Sequence, residues 1–564
     1  LKIKGSMMER AKAEFSKWSF IALPAALTIM FNCSLTLTDA SILGHLVSDV
    51  AYPNSTSTDF LAAVSLGYSW YYALNIFIMA GFSEAICVLG SQSFGAKNYV
   101  RGAQVYCAGL LCSFLICIPI GIGIYYTADV VKLILPTTTT DLRYTLIQDF
   151  SRRMLFALPG QTLASCTSNF LNTANVVYIP LYLALFSAII NLGFNLCLVH
   201  GSTALNITAY GFRGSPLSTA ATNSINGIGL FLYLMIGEGS DEHRYSKIHL
   251  RRWCRNTICC CGGSGGSGGG RTTRIQTSPP NLVTNAVTNN AIDIHSERET
   301  LQSQQQESCF NRDVFSTYTA QALPLAIGGA FEEWQIQVVG FFAGALGPVS
   351  TATNNGMQQI FVTLSALNYG IMTATTIRIG YYLGEGKPEN AKSVAIIAFV
   401  TSLCCGSSIG VAFILFRNEM GKLFSNDPKV IELSAKLCWI VGPTYILLSV
   451  FFVSVATLQG QGRSLALAVC FLIGAWLVSV PAAWIFAFDL KLDLPGIWYG
   501  FVAGYGVIMV LTFIAVYRSA WEKISEVAVA ENKLLSKDKM VPAVATADED
   551  RNNSMTERLL VGAP

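Results

Sequence analysis

Charged side chains are scarce in this sequence. Asp, Glu, Lys and Arg make up 13% of its 564 residues, against about 25% in an ordinary soluble domain. With 52% hydrophobic residues and a mean hydropathy of +0.46, that scarcity excludes a water-soluble globular fold. Motifs that carry covalent chemistry are missing as well. There is no Gly-x-x-x-x-Gly-Lys-Ser/Thr loop, and the glycine run 262–270 has no strand or helix about it to make it a phosphate cradle, so ATP does not drive this protein directly. There is no His-Glu-x-x-His and no paired Cys-x-x-Cys of the zinc type. The five histidines (45, 200, 243, 249 and 295) fall mainly at loop edges. No enzymatic activity, cofactor, metal centre or nucleic-acid partner is therefore expected. The polar, basic start Leu1–Lys17 leads into an apolar run too long for a signal h-region, so a cleavable signal peptide is not expected.

What remains is long apolar runs, which point to an all-α polytopic membrane protein. Run length and breaks at Gly, Pro, Asn and charge predict spans at about 18–47, 59–92, 103–127, 153–173, 179–200 and 213–237. Six more follow at about 313–345, 351–383, 393–416, 432–458, 465–488 and 496–518. Asp129–Arg153 reads as a polar loop. The organisation expected is a segment 1–17, a six-helix bundle 18–237, a linker 238–312, a second bundle 313–518 and a tail 519–564. The linker is Gly/Ser-rich, then Asn/Thr/Gln-rich, and has too little apolar surface to fold. Most of the 16 cysteines lie in apolar runs as small hydrophobes; Cys254 and Cys259–Cys261, beside Arg251, Arg252 and Arg255, are juxtamembrane and open to palmitoylation.

Lys and Arg concentrate in the loops that share a side with both termini, which places those loops in the cytoplasm. The sequons at Asn54 and Asn206 then fall outside, where glycosylation is possible. The halves repeat. Phe94-Gly95-Ala96-Lys97 corresponds to Leu383-Gly384-Glu385-Gly386-Lys387, and Tyr210-Gly211-Phe212 to Tyr499-Gly500-Phe501, both at a separation of about 289 residues. Upstream, Pro24 corresponds to Pro324 at about 300, the difference being absorbed by the loop Ser48–Asp59. Six spans per half insert both halves the same way up, with a site expected between them.

The candidate site residues are polar groups inside spans. Glu332 and Glu333 sit within the apolar stretch Leu323–Leu346, beside Trp334 and Gln337. A charge at mid-membrane costs roughly 2.5 kcal/mol or more, so such groups face a protein interior or a wet cavity. Asn32, Thr36 and Asp39 recur at i, i+4, i+7 on one helical face, where a carboxylate could hold a proton or a hard cation such as sodium. Other polar stripes hold Tyr68, Tyr72, Asn75 and Met79; Gln161, Ser165, Ser168 and Asn172; Asn191 and Asn195; and Asn354, Asn355, Gln358 and Gln359. They either bond helices together or line a chamber. Aromatic faces, Trp334 above all, could hold an organic cation.

Several stretches resemble the multidrug and toxic compound extrusion family: Thr38-Asp39 through Gly44-His45-Leu46, Gly90 through Ala96, Phe331-Glu332-Glu333-Trp334 with Gly344–Gly347, Arg378 through Gly386, and Leu458 through Arg463. The resemblance implies twelve transmembrane helices in two pseudo-symmetric six-helix bundles around a central cleft, and export of organic cations in exchange for protons or sodium. It assigns ion coupling to Asp39 and to Glu332 or, one register over, Glu333. It departs from the family at Gln337, where some members have a second glutamate, and in Trp439–Gln459, which holds no acid. The function expected is a monomeric antiporter of the plasma membrane or a vacuolar or vesicular membrane. Substrate contacts are expected from Asn32, Thr36, Tyr72, Asn75, Gln161, Asn195, Trp334, Gln337, Asn355 and Gln359. A lipid-linked oligosaccharide flippase and a non-transporting receptor are the alternatives.

Overall fold

The computed structural model describes residues 2–236 and 312–537, apart from 47–48, 50, 54, 135–140, 202–205, 207 and 426. The linker, Asn54 and the cysteines 254 and 259–261 lie outside the described residues. Within them the chain is helical throughout. The first half comprises α1 (Lys2–Gly44), α2 (Ser57–Ile76), a π-helical turn (Phe77–Ser83), α3 (Glu84–Gly95), α4 (Tyr99–Tyr125), α5 (Thr127–Ile134), α6 (Asp141–Met154), α7 (Ala157–Thr173), α8 (Tyr178–His200) and α9 (Gly214–Ile236). The second comprises α10 (Arg312–Ala345), α11 (Pro348–Gly384), α12 (Pro388–Leu415), α13 (Pro428–Gly460), α14 (Ser464–Asp489, with two π-helical stretches) and α15 (Asp493–Tyr517). The tail helix α16 (Trp521–Lys537) follows.

Ten of these spans are long and apolar enough to cross a membrane. The two more polar ones, α6–α7 and α10, complete twelve, and the protein is an integral multi-pass membrane protein of two six-helix bundles around a central cleft. The stretch Asp129–Arg153 read as a loop is instead helical at its start, in α5, and again from Asp141. Its Leu146, Ile147, Phe150 and Met154 recur on one face and are all buried, which the charge of the segment hid. Its Asp149 accepts hydrogen bonds from Tyr52 and from Arg213 at 2.7 Å, so the segment is tied to neighbouring elements.

The repeat is visible as reciprocal contacts. α10 crosses into the first half, where Ala326 meets Gly81 and the Tyr318 hydroxyl donates to the Phe82 carbonyl. α1 makes the matching crossing into the second half: Ala26 meets Gly370, and the Trp18 indole donates to Thr375 at 3.1 Å. Nearer the termini, α3 and α11 cross face to face. Gly95 lies against the Tyr381 carbonyl and Gly384 against the Gln92 carbonyl. These pairs exchange under the same displacement of about 289 residues read from the sequence, which locates the pseudo-twofold axis between α3 and α11. Lys97 (φ 56°) and Gly386 (φ 77°) end the two helices with the same left-handed turn.

Further links close this end of the molecule. Arg378 on α11, nearly buried, is held by Glu14 of α1 at 2.7 and 3.0 Å and donates to Tyr382 at 2.6 Å. α16 spans both halves: Ser525 donates to the Leu383 carbonyl at 3.0 Å, Asn98 donates to the Asn532 carbonyl at 3.1 Å, and Arg101 pairs with Glu531 at 3.3 Å. Breaking a buried ion pair by removing one partner costs about 3–5 kcal/mol, because the other charge is left desolvated. Glu14→Ala is therefore expected to weaken the closure at this end by a large part of that amount. Faster modification of a cysteine introduced at Ser91, applied from that face, would report it; unchanged labelling would show that the pair is not part of the closure.

Candidate functional site

Asp39, five residues before the end of α1, is fully buried inside the first bundle. Four helices meet on it. Thr219 of α9 donates at 2.5 Å, Asn195 of α8 at 2.8 Å, and the Tyr68 hydroxyl of α2 also donates. Asn191 extends the network, donating to Thr219 at 3.2 Å. Three donors suit an ionised carboxylate. Hydroxyl groups can also accept, so Tyr68 and Thr219 can turn to serve a protonated acid or make room for a cation without rebuilding the bundle.

The helical stripe Asn32, Thr36, Asp39 divides in the fold. Asn32 is exposed, and the Thr36 hydroxyl bonds the Cys33 carbonyl at 2.9 Å while lying against Tyr72. Neither reaches the Asp39 network. Tyr72 connects the two acidic regions. Its ring stacks on Tyr68 at 5.8 Å, and its hydroxyl is within electrostatic reach of both Asp39 and Glu333. Thus the ring faces the cleft while its neighbour Tyr68 holds the buried acid.

Across the cleft, Glu332 and Glu333 are both part-accessible on α10. Tyr505 of α15 donates to Glu332 at 3.3 Å, and Gln337 donates to Glu333 at 2.8 Å. Tyr369 of α11 lies within electrostatic reach of both. Trp334 turns to the other bundle: its indole donates to the Ala73 carbonyl at 2.7 Å, and its ring meets Phe77 edge-on at 5.8 Å. Gln335 points away into the second bundle, donating to Ser479 at 2.7 Å. Asn355 and Gln359 are exposed on the same face of α11 as Tyr369, which turns them toward the cleft.

The remaining candidates lie elsewhere. Asn75 is 1% exposed, and neither of its amide atoms has a hydrogen-bond partner among the described residues. Gln161 accepts from Tyr71 at 2.5 Å and is a bundle contact. Asn195 serves Asp39 and does not open to the cleft. Asn206 is exposed in a turn between α8 and α9. Among the described residues no cluster of three or more His, Cys, Asp or Glu could hold a metal ion.

The model of the MatE family matches residues 24–197 and again 324–485, once in each half. The chain belongs to the MatE family. It is 22% identical over 549 residues to mouse multidrug and toxin extrusion protein 2, covering 97% of this chain and 81% of the relative. An uncharacterised transporter of Schizosaccharomyces pombe is 23% identical over 503 residues, 89% of this chain and 80% of its own length. The eukaryotic MATE transporter AtDTX14 has the same fold, with a TM-score of 0.72 at 18% identity, covering 93% of this chain and 99% of that one. A multidrug resistance MATE transporter in an outward-facing conformation matches with a TM-score of 0.66 at 15% identity over 92% of this chain and 96% of that one.

In this MATE chain, helical spacing within single spans did not reveal which groups partner the acids. Tyr68, Thr219, Tyr505 and Tyr369 all approach the acids from other helices. Only Tyr68 stood on a recognised polar stripe; the others are isolated polar positions whose contacts depend on how helices pack. Glu84 was also passed over, although a lone acid inside the second span was a visible signal.

Proposed function

We propose that this protein is a secondary active antiporter. It exports organic cations, or other amphipathic xenobiotics or metabolites, in exchange for protons or sodium, by alternating access between its two bundles. The observation that carries the reading is an aromatic-walled cleft with Glu332 and Glu333 part-accessible on one side and, on the other, Asp39 buried behind the stacked rings of Tyr68 and Tyr72. An organic cation and the coupling ion compete for negative charge there. Binding of either shifts the conformational balance by its difference in affinity for the two states. Asp39, Glu332 and Glu333 serve as the ion-coupling groups. Tyr72, Trp334, Gln337, Asn355 and Gln359 offer faces and dipoles to the substrate.

The relatives named for multidrug and toxin extrusion support the substrate class. The flippase alternative needs a basic cleft, whereas Arg378, the notable intramembrane base, is engaged by Glu14. The lysine- and arginine-bearing loops support cytoplasmic termini; with that orientation the closed end lies inward and the cleft opens outward. The protein acts as a monomer in the plasma membrane or a vacuolar or vesicular membrane. The test is transport of a fluorescent organic cation in vesicles, with a pH gradient, a sodium gradient or neither. Accumulation with one gradient and none without is expected; equal movement under all three conditions would reject antiport.

A further inference from the structure

Every residue of α3 from Ala85 to Gly95 is buried; Glu84, its first residue, is the exception. The helix is enclosed by the preceding π-helical turn and by α4, α7, α10 and α11, so the opening at Glu84 faces the interior of the molecule rather than lipid. On α11 the pattern repeats. Asn355, Gln359, Tyr369 and Thr373 are accessible on one face, and Ala374–Gly380 are buried without a break. Glu84 and Thr373 are thus the last open positions before the buried runs Ala85–Gly95 and Ala374–Gly380 of the two crossing helices, above the seam that closes the cleft. They are also related by the same displacement of about 289 residues that exchanges Gly95 with Gly384, so the pseudo-twofold axis exchanges one position with the other.

The π-helical turn Phe77–Ser83 contributes to this placement. Its wider winding carries the cleft-facing line of α2, marked by Tyr72 and Met79, on to Glu84. Such turns within α-helices recur at functional sites. Among the described residues no hydrogen bond or ion pair is made by Glu84. The Thr373 hydroxyl donates to the Tyr369 carbonyl at 3.0 Å and keeps its lone pairs free to accept. An unpaired carboxylate inside a span is costly and calls for a partner. Between Glu84 and Gly95 lie about 16 Å of helix at 1.5 Å per residue, so this floor is deep within the membrane and distinct from the termini face.

We infer that Glu84, with Thr373 as its pseudo-symmetric mate, forms a second cation site at the floor of the cleft. This site takes the positively charged group of an ammonium-type substrate when the α3–α11 seam parts. The inference rests on the cleft being a cation path, and adds the group a cytoplasmic substrate meets before it reaches Glu332 and Glu333. Uptake of tetraethylammonium from the termini face of reconstituted vesicles tests it. Glu84→Gln should raise KM by about tenfold or more (about 1.4 kcal/mol) with little change in kcat, and Glu84→Asp should restore most of the affinity. Moving the acid to its mate, with Glu84→Thr and Thr373→Glu together, should also restore it, because the two positions share one floor. An unchanged KM in Glu84→Gln, or no rescue by the exchange, overturns the site. If the wild-type protein takes up no tetraethylammonium, the antiport reading fails separately. Calorimetric binding to wild-type and Glu84→Gln protein in detergent then decides the site alone: weaker binding by the variant supports it and equal affinity overturns it.

Discussion

Replacing both α10 acids, Glu332→Gln together with Glu333→Gln, is expected to reduce gradient-driven efflux to the level of vesicles with no gradient. Glutamine keeps the length and planar shape of glutamate, and Tyr505 can still donate to its carbonyl. The change is therefore one of charge rather than of packing. Without an ionisable group the second bundle has no differential affinity for the coupling ion, and an ion with equal affinity for both states shifts neither. Either single substitution should retain part of the coupling, since the second acid remains accessible in the same cleft. Downhill exchange of unlabelled for labelled substrate is expected to survive in the double variant at reduced affinity, which separates lost coupling from lost folding. Undiminished uphill efflux by the double variant would exclude both glutamates from coupling and leave Asp39 to carry it alone.

The arrangement of acids explains why the sequence revealed some of this site and not the rest. Apolar run lengths located most spans because a bilayer imposes about 20 residues on each. Glu332 and Glu333 stood out because charge inside such a run is expensive. The α6 segment was obscured because its charged residues share one helix with a buried apolar face, and composition averages over both. Partnerships were less legible. Helical spacing grouped Asn32 with Asp39, but seven residues of helix separate them by about 10 Å along the axis. Asp39 enters the bundle at its own level, while Asn32 stays exposed on α1. Which helices supply Tyr68, Asn195 and Thr219 depends on the crossing of α1, α2, α8 and α9, which leaves no periodic trace in any one of them. The internal repeat was the exception. Its displacement of about 289 residues is the one that exchanges the reciprocal contacts of the α3–α11 crossing.

That crossing also governs which face of the protein can open. A Cβ at Gly95 would sit 1.9 Å from the Tyr381 carbonyl oxygen, and one at Gly384 2.0 Å from that of Gln92. Both obstacles are backbone, which cannot swing aside as a side-chain tip can. Gly95→Ala or Gly384→Ala must therefore separate the helices, at an overpacking cost of about 1–3 kcal/mol or more in the closed arrangement alone. Since an inward-open form parts the same seam, it escapes the penalty, and the balance moves toward it by about one to two powers of ten. A cysteine at Ser91 should accordingly become reactive from the termini face, and outward release of substrate should fall in proportion. Gly193→Ala and Gly506→Ala, where an added Cβ meets nothing within 4 Å, should change neither. Because the two seam glycines are reciprocal contacts of one crossing, their effects should fall short of additivity when combined, once the first substitution has opened the seam. Full additivity would mean that the two contacts yield independently, and that α3 and α11 do not part as a unit.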